Sequence, residues 1–206
     1  MSHEPLSQSI RRITEGEAGD VITLNEIIAR TGGRGIHLAI ILLCLPFITP
    51  IPLPGVSTVF GFVIFLLALR QALGKRARLP RFLGERPIQV KDHQKILKAS
   101  LRVILFIEKT ARPRGKDWLD LRAAQIGNSF LLMFLALLLM LPFPPFVLLT
   151  NSLPGLAVIF ISASIMEEDG FMIWFGYVLA LIATAYITAV IWLILGGAHF
   201  FADYLL

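Results

Sequence analysis

The stretch that decides the fold is residues 45–55, Leu-Pro-Phe-Ile-Thr-Pro-Ile-Pro-Leu-Pro-Gly. Each of its prolines lacks a backbone N–H donor and crowds the preceding turn, so no α-helix passes through it unbroken. The stretch nevertheless lies within residues 35–69, which contain no Asp, Glu, Lys or Arg. Backbone groups in a bilayer have no water to pair with, so a broken helix there must be buried in protein or line a cavity. We therefore expect this break to be a functional centre.

The composition is typical of an integral membrane protein. The 206 residues are 56% hydrophobic and 16% charged, whereas a soluble domain carries about 25% charged residues. Asp, Glu, Lys and Arg are absent from residues 35–69, 123–166 and 170–202. A helix needs about 20 apolar residues to span a bilayer, and soluble cores rarely sustain runs beyond about 14. These runs favour a membrane protein over the alternative, a soluble all-α protein.

The basic residues are confined to one part of the chain. All 19 Lys and Arg residues lie in residues 11–122, and the later charges are all acidic. Basic residues are enriched in cytoplasmic loops, so we expect the N-terminal region and the linker 75–122 to be cytoplasmic. The net charge of +5 then indicates attraction to anionic membrane lipids, and we expect no nucleic-acid partner.

The apolar segments beside the break are short for two membrane crossings. Residues 36–45 predict a helix about 15 Å long, half of a bilayer core about 30 Å thick. A second helix is predicted to begin at Pro54, which suits the first helical position, and to run to about Leu73. Two full crossings need about 40 apolar residues. We therefore expect a re-entrant hairpin that enters and leaves on one side.

The second half of the chain repeats this pattern. Leu141-Pro142-Phe143 corresponds to Leu45-Pro46-Phe47, and Leu153-Pro154-Gly155 corresponds to Leu53-Pro54-Gly55. Paired hydrophobic segments interrupted by Pro or Gly are the sequence pattern of a midplane binding site in transporters. The alternative is that the prolines only kink packed helices. Whether the two hairpins are inverted or parallel, and how many full crossings there are, stays open.

The predicted fold is an all-α integral membrane protein with a single domain over residues 1–206. It divides into four parts: repeat 1 over about 20–74, a basic interfacial linker over 75–122, repeat 2 over about 123–170, and a transmembrane helix over 171–195.

Further helices follow from the apolar periodicity and the breakers. Amphipathic helices 21–30 and 93–111 are expected on the membrane surface. Repeat 2 is expected to contain helices 127–141 and 155–166. Gly196 and Gly197 are expected to end the final helix.

Several short motifs resemble the ExoD family of bacterial exopolysaccharide-synthesis membrane proteins. The resemblance covers about residues 15–195, although Arg78 stands where the family commonly has a tryptophan before Leu-Pro. The matching residues are Gly33-Arg34-Gly35, the Leu-Pro-Phe stretch with Pro50 and Pro52, Pro54-Gly55-Val56-Ser57-Thr58, Gly61, Leu67-Ala68, Gln71, Gly74, Asn151, Pro154 and Asp169-Gly170.

This resemblance implies a protein of the bacterial inner membrane that is linked to exopolysaccharide production, and it implies no particular reaction. The overall plan also resembles the architecture of the DedA superfamily. That superfamily has paired re-entrant hairpins and includes undecaprenyl-phosphate translocases. Likeness of architecture alone is weak evidence for function.

The helix that follows the first break begins with a candidate anion site. Helix N-termini present free N–H groups and a positive dipole, and Gly55 is followed closely by the hydroxyls of Ser57 and Thr58. Such a site suits a phosphate or a carboxylate. Gly155 heads the matching helix, but no hydroxyl follows it there. The alternative is that Ser57 and Thr58 only cap the helix.

Four other polar residues extend the candidate substrate-binding set. Arg70 and Gln71 lie on the last turns of their helix, and Arg34 lies at the mouth of the first half-helix. Each arginine either binds a phosphate or is an interfacial side chain that reaches into the headgroups. Asn151 is expected to bridge the second break by hydrogen bonds to its free carbonyls.

Glu168 and Asp169 are candidates for proton coupling, because acidic residues inside a membrane are functional by default. A solvated helix end is the alternative. His37 is expected to be interfacial. The chain shows no nucleophile motif, phosphate-binding loop or Cys/His metal spacing, so we expect no catalytic residue, metal or cofactor.

Three functions are therefore open. The leading hypothesis is a carrier or translocator of an anionic lipid, such as a polyprenyl phosphate, or of a small anion. The second is a scaffold or accessory subunit bound to polysaccharide-assembly proteins. The third is a membrane enzyme acting on a lipid-linked substrate. Small residues along the predicted helices also allow a homodimer.

Overall fold

The computed structural model describes residues 21–23, 35–48, 55–74, 87–89, 116–119, 121–144, 147 and 149–205. Apart from two strands of three residues, the regular structure in these ranges is helical, as predicted. A 3₁₀ turn, Leu45–Ile48, directly follows the first helix. The helices are α1 (Gly35–Cys44), α2 (Val56–Ala72), α3 (Lys116–Leu119), α4 (Arg122–Met140), α5 (Ser152–Met166) and α6 (Met172–Leu205).

The two strands correct the predicted helix 21–30 at its beginning. Strand β1, Val21–Thr23, pairs antiparallel with β2, Pro87–Gln89, so that Ile22 lies opposite Ile88. Val, Ile and Thr are β-branched and fit a pleated strand, and a pairing partner so distant in sequence leaves no local signal. Residues 24–30 and the predicted surface helix 93–111 lie outside the described residues.

Helices α1 and α2 form a hairpin around the first break. Near the start of α1 and the end of α2, the Nε2 atoms of His37 and Gln71 are 3.2 Å apart. At the opposite end, the rings of Phe47 and Phe60 pack edge to face with centroids 6.1 Å apart. Because the contacts lie at opposite ends of the two helices, the chain reverses direction between them.

Each helix of this hairpin packs on a helix from the second half of the chain: α2 on α4, and α1 on α5. The hydroxyl of Thr58, at the start of α2, lies 3.5 Å from the carbonyl oxygen of Met140, at the end of α4. Gly155, in the first turn of α5, lies against Phe47, directly beyond α1. Helix α4 therefore runs antiparallel to α2, and α5 runs antiparallel to α1.

These directions place both breaks at the same end of the bundle. We call it the break end; it contains residues 45–48 and 141–144. The opposite end, which we call the charged end, contains Arg70, Arg122 and the turn of residues 167–169. None of the described residues at the break end carries a charge. The hairpins are therefore parallel in direction.

Helix α6 turns back along the bundle from the charged end. Gly176 lies against Ile161 of α5, and the hydroxyl of Tyr177 donates a hydrogen bond of 2.6 Å to Oδ1 of Asn128 on α4. Helix α6 continues through Gly196 and Gly197 to Leu205, so the prediction that these glycines end it is wrong. A glycine costs about 1 kcal/mol inside a helix, less than leaving backbone groups unpaired in apolar surroundings.

Helix α5 begins at Ser152, three residues before its predicted start at residue 155. Pro154 therefore lies in the first turn, where a backbone N–H has no partner within the helix and its absence costs little. Helix α4 begins at Arg122, five residues before the predicted residue 127. Both differences lengthen the second hairpin relative to the prediction.

The apolar residues divide into a shared core and an exposed face. Nearly all of α1 is buried, and the core is completed by fully buried side chains such as Leu67, Leu135 and Ile161. By contrast, α6 exposes large apolar side chains, among them Trp174 and Trp192. Residues 122–140 and 172–196 are long and apolar enough to cross a membrane, and an exposed apolar face of this kind suits contact with lipid.

The turn between α5 and α6 is closed by Asp169. Its Oδ1 accepts hydrogen bonds from the backbone N–H groups of Phe171 (2.9 Å) and Met172 (3.0 Å). Phe171 directly precedes α6 and Met172 is its first residue, so neither N–H has a partner within the helix. Glu168 precedes the cap with a positive φ of 56°, so the backbone reverses there. Asp169 thus fixes where α6 begins.

Replacing Gly61 by Ala should destabilise the α2–α4 packing. An added Cβ would lie 2.9 Å from the carbonyl oxygen of Ala136 and 2.8 Å from Cγ of Met140. We expect the free energy of unfolding to fall by about 1–3 kcal/mol, measured as a lower thermal midpoint in detergent. Gly127→Ala is the matched control, because nothing lies within 4 Å of its added Cβ. A Gly61→Ala midpoint at or above wild type would contradict the packing.

Replacing Asp169 by Ala should destabilise the start of α6, because two backbone donors lose their acceptor. The expected loss is about 0.5–2 kcal/mol of unfolding free energy. Asp169→Asn retains a side-chain oxygen and should lose less. Thermal unfolding of the three proteins measures the order, and an alanine variant as stable as wild type would show that the cap contributes nothing.

Candidate functional site

The structure separates the predicted binding residues into two groups. Ser57 and Thr58 lie at the start of α2, at the break end, whereas Arg70 and Gln71 lie near its other terminus. Ser57 and Arg70 are 13 positions apart on this helix, which is about 20 Å along the axis. One small anion cannot contact both groups.

Among the described residues, none lies against Gly55 at the start of α2. Gly55 precedes the helix with φ +82° and has nothing within 4 Å of an added Cβ; other residues adopt this φ with strain. No side chain caps this end of α2. Ser57 is buried, and Thr58 makes a long contact with the end of α4 instead. The alternative that these hydroxyls only cap α2 stays open.

The start of α5 is more closed. A Cβ added to Gly155 would lie 3.1 Å from Cβ of Phe47, so the side chain of Phe47 covers this glycine. Asn151 precedes the helix, and its Oδ1 is buried with no hydrogen-bond partner in the described part of the chain. The side-chain hydrogen bond seen within the second break comes from Thr150, whose hydroxyl donates to the carbonyl of Val147 at 3.2 Å. The predicted bridging role of Asn151 stays a prediction.

At the charged end, a polar pair links α1 to α2. Nε2 of Gln71 lies 3.2 Å from Nε2 of His37. His37 is only 5% exposed, so it is buried within the bundle, and its position at the membrane interface stays a prediction. It faces α2 rather than leaving the bundle. Arg70 is half-buried beside this pair, and Arg34 lies outside the described residues.

Glu168 and Asp169 lie at the charged end, at the turn before α6. Asp169 is buried, and its carboxylate holds the two backbone donors described above. This gives Asp169 a structural role, and the proton-coupling role stays a prediction for both residues. In the described ranges, no three His, Cys, Asp or Glu side chains lie together as metal ligands would.

Sequence reasoning missed the residue that joins the two breaks. Phe47 is 1% exposed, and it contacts both Phe60 and Gly155. Its signal was present, because Leu-Pro-Phe occurs before both breaks. The pairing of Asn128 with Tyr177 had no such signal, since the two residues belong to different helices.

Comparison with known proteins identifies a family. The family model described as "Exopolysaccharide synthesis, ExoD" matches residues 6–189. Protein ExoD of Rhizobium meliloti is 31% identical over 201 residues, which cover 98% of this chain and 81% of that protein. Uncharacterized protein slr1875 of Synechocystis is 27% identical over 190 residues, covering 92% and 88%. No solved structure matches the chain. The resemblance found in the sequence motifs is thereby confirmed, and the chain belongs to the ExoD family.

Proposed function

We propose that this protein acts in exopolysaccharide synthesis as an inner-membrane carrier that translocates an anionic lipid, such as a polyprenyl phosphate, or a small anion. Membership of the ExoD family supports the link to exopolysaccharide synthesis. The observation that carries the transport role is the meeting of the two breaks. Thr58 lies at the end of α4, and Gly155 lies at the end of α1.

The break end favours an anion for electrostatic reasons. Helices α2 and α5 both start there, so two positive dipole ends and their free N–H groups lie at one end of the bundle. No described charge competes with them, and apolar surroundings strengthen their attraction for a negative charge. No atom of the described residues lies within 4 Å of a Cβ added to Gly55, and in this proposal a ligand approaches the backbone there.

In this proposal the substrate enters the bundle at the charged end. Arg70 and Arg122 lie there, and cytoplasmic basic residues would place this end at the inner membrane surface. An anion attracted by these arginines would have to move about 20 Å along α2 to reach Ser57. In this proposal Arg70 receives the substrate, and Gly55, Ser57 and Thr58 hold it deep in the membrane.

The second candidate is a scaffold for polysaccharide-assembly proteins. It is favoured by the exposed apolar face of α6, which includes Trp174, Phe175 and Trp192. Such a face is wide enough for a partner helix or for a second copy of this chain. A scaffold does not have to move lipid or anions across the membrane, so a transport measurement distinguishes the two candidates.

Transport should depend on Ser57. We expect wild-type protein in liposomes to move a fluorescent polyprenyl phosphate between leaflets, or to carry inorganic phosphate or chloride. Ser57→Ala should slow the active probe about tenfold, because it removes one hydrogen bond to a charged group. Probe accessibility to an external quencher, or ion flux, measures the rate.

Ser129→Ala is the matched control for this experiment. Ser129 is also buried, but its hydroxyl donates within α4, to the carbonyl of Gln125 at 2.8 Å. Its loss should leave transport unchanged. Folded wild-type protein that moves none of the probes would contradict the carrier and support the scaffold. Equal slowing by both variants would contradict a specific role for Ser57.

A further inference from the structure

We propose that His37 and Gln71 form a buried binding site for a hydroxyl-bearing ligand, either a water molecule or a saccharide. The two side chains join α1 to α2 through their Nε2 atoms, 3.2 Å apart. His37 is 95% buried, being 5% exposed. The inference concerns the charged end of the bundle, and it does not rest on the proposed anion transport.

The hydrogen bond between the two side chains determines which of their donor and acceptor atoms stay unpaired. The amide nitrogen of Gln71 only donates, so Nε2 of His37 accepts, and the neutral ring carries its proton on Nδ1. Neither Nδ1 of His37 nor Oε1 of Gln71 has a hydrogen-bond partner in the described part of the chain. One donor and one acceptor therefore remain open in the interior.

This result does not depend on which way the Gln71 amide points. If the amide is reversed, its oxygen accepts from Nε2–H of His37. The open groups are then an acceptor, Nδ1, and the donors of the amide nitrogen. In both orientations the pair offers at least one unmet donor and one unmet acceptor.

The chemistry of the open atoms selects the ligand. A hydroxyl both donates and accepts, so it satisfies both kinds of open atom, whereas a phosphate oxygen or a metal ion satisfies one kind and repels the other. The neighbouring side chains on α1, among them Ile36, Leu38 and Ile40, are apolar and buried and satisfy neither. Buried polar atoms that stay unpaired are costly, which favours occupation of the site.

The test follows the His37 ring directly. The full chain, labelled with ¹⁵N-histidine and placed in phospholipid nanodiscs, gives ring nitrogen shifts, and His37→Gln assigns the His37 signals. Methyl β-glucopyranoside is titrated in, with permethylated methyl glucopyranoside as the control that cannot donate. We expect saturable shifts of the His37 nitrogens with the first sugar and none with the second. Gln71→Leu should weaken the response about tenfold, the loss of one hydrogen bond.

The outcomes separate the two sources of the hydroxyl. No response to the sugar, with a water cross-peak at the His37 ring N–H, assigns the site to bound water. A sugar response assigns it to a saccharide hydroxyl. If the wild-type protein shows no sugar response and no water cross-peak, the proposal is overturned. This outcome is measured on the wild-type protein alone, so it does not depend on whether a variant folds.

Discussion

The packing of Phe47 on the backbone of Gly155 is the contact on which the rest of the arrangement depends. Prolines end α1, so the chain must leave its helix inside an apolar environment. The 3₁₀ turn that follows directs Phe47 into the interior, where it is 1% exposed. There it lies between the ring of Phe60 on α2 and the first turn of α5. A side chain at position 155 would hold these elements apart.

This contact explains why each helix of the first hairpin packs on a helix from the second half of the chain. The start of α5 lies at the end of α1, and the start of α2 lies at the end of α4. Each broken end therefore contacts the other half of the chain. The same arrangement places the starts of α2 and α5 at one end of the bundle and the arginines at the other. The charged groups and the uncharged break end are therefore separated along the bundle.

Much of this fold could be predicted from local sequence. The apolar runs gave α1, α2, α5 and most of α6, because a helix of apolar residues needs no information from elsewhere. The strand at Val21–Thr23 was missed because its partner lies at Pro87–Gln89. The passage of α6 through Gly196 was missed because glycine lowers helix stability without forbidding the helix.

The candidate site was less predictable than the fold. The sequence places Ser57 and Arg70 on one helix, and helix geometry alone separates them by about 20 Å. The location of both breaks at one end of the bundle, however, shows that Ser57 lies beside the breaks and that Arg70 lies far from them. The burial of His37 depends on a contact between α1 and α2, and hydropathy along the chain carries no information about such a contact.

The most direct test of the parallel hairpins is a pair of distances between spin labels in the full chain carrying Cys44→Ala. Labels at cysteines replacing Ile48 and Leu149, which are 41% and 45% exposed, report on the two breaks. Labels at Ile48 and Phe171, the latter 63% exposed, span from the break end to the charged end. Because the 15 residues of α5 extend about 22 Å along the bundle, the first distance should be shorter by about 10–20 Å. A first distance equal to or longer than the second would place the breaks at opposite ends and contradict the arrangement.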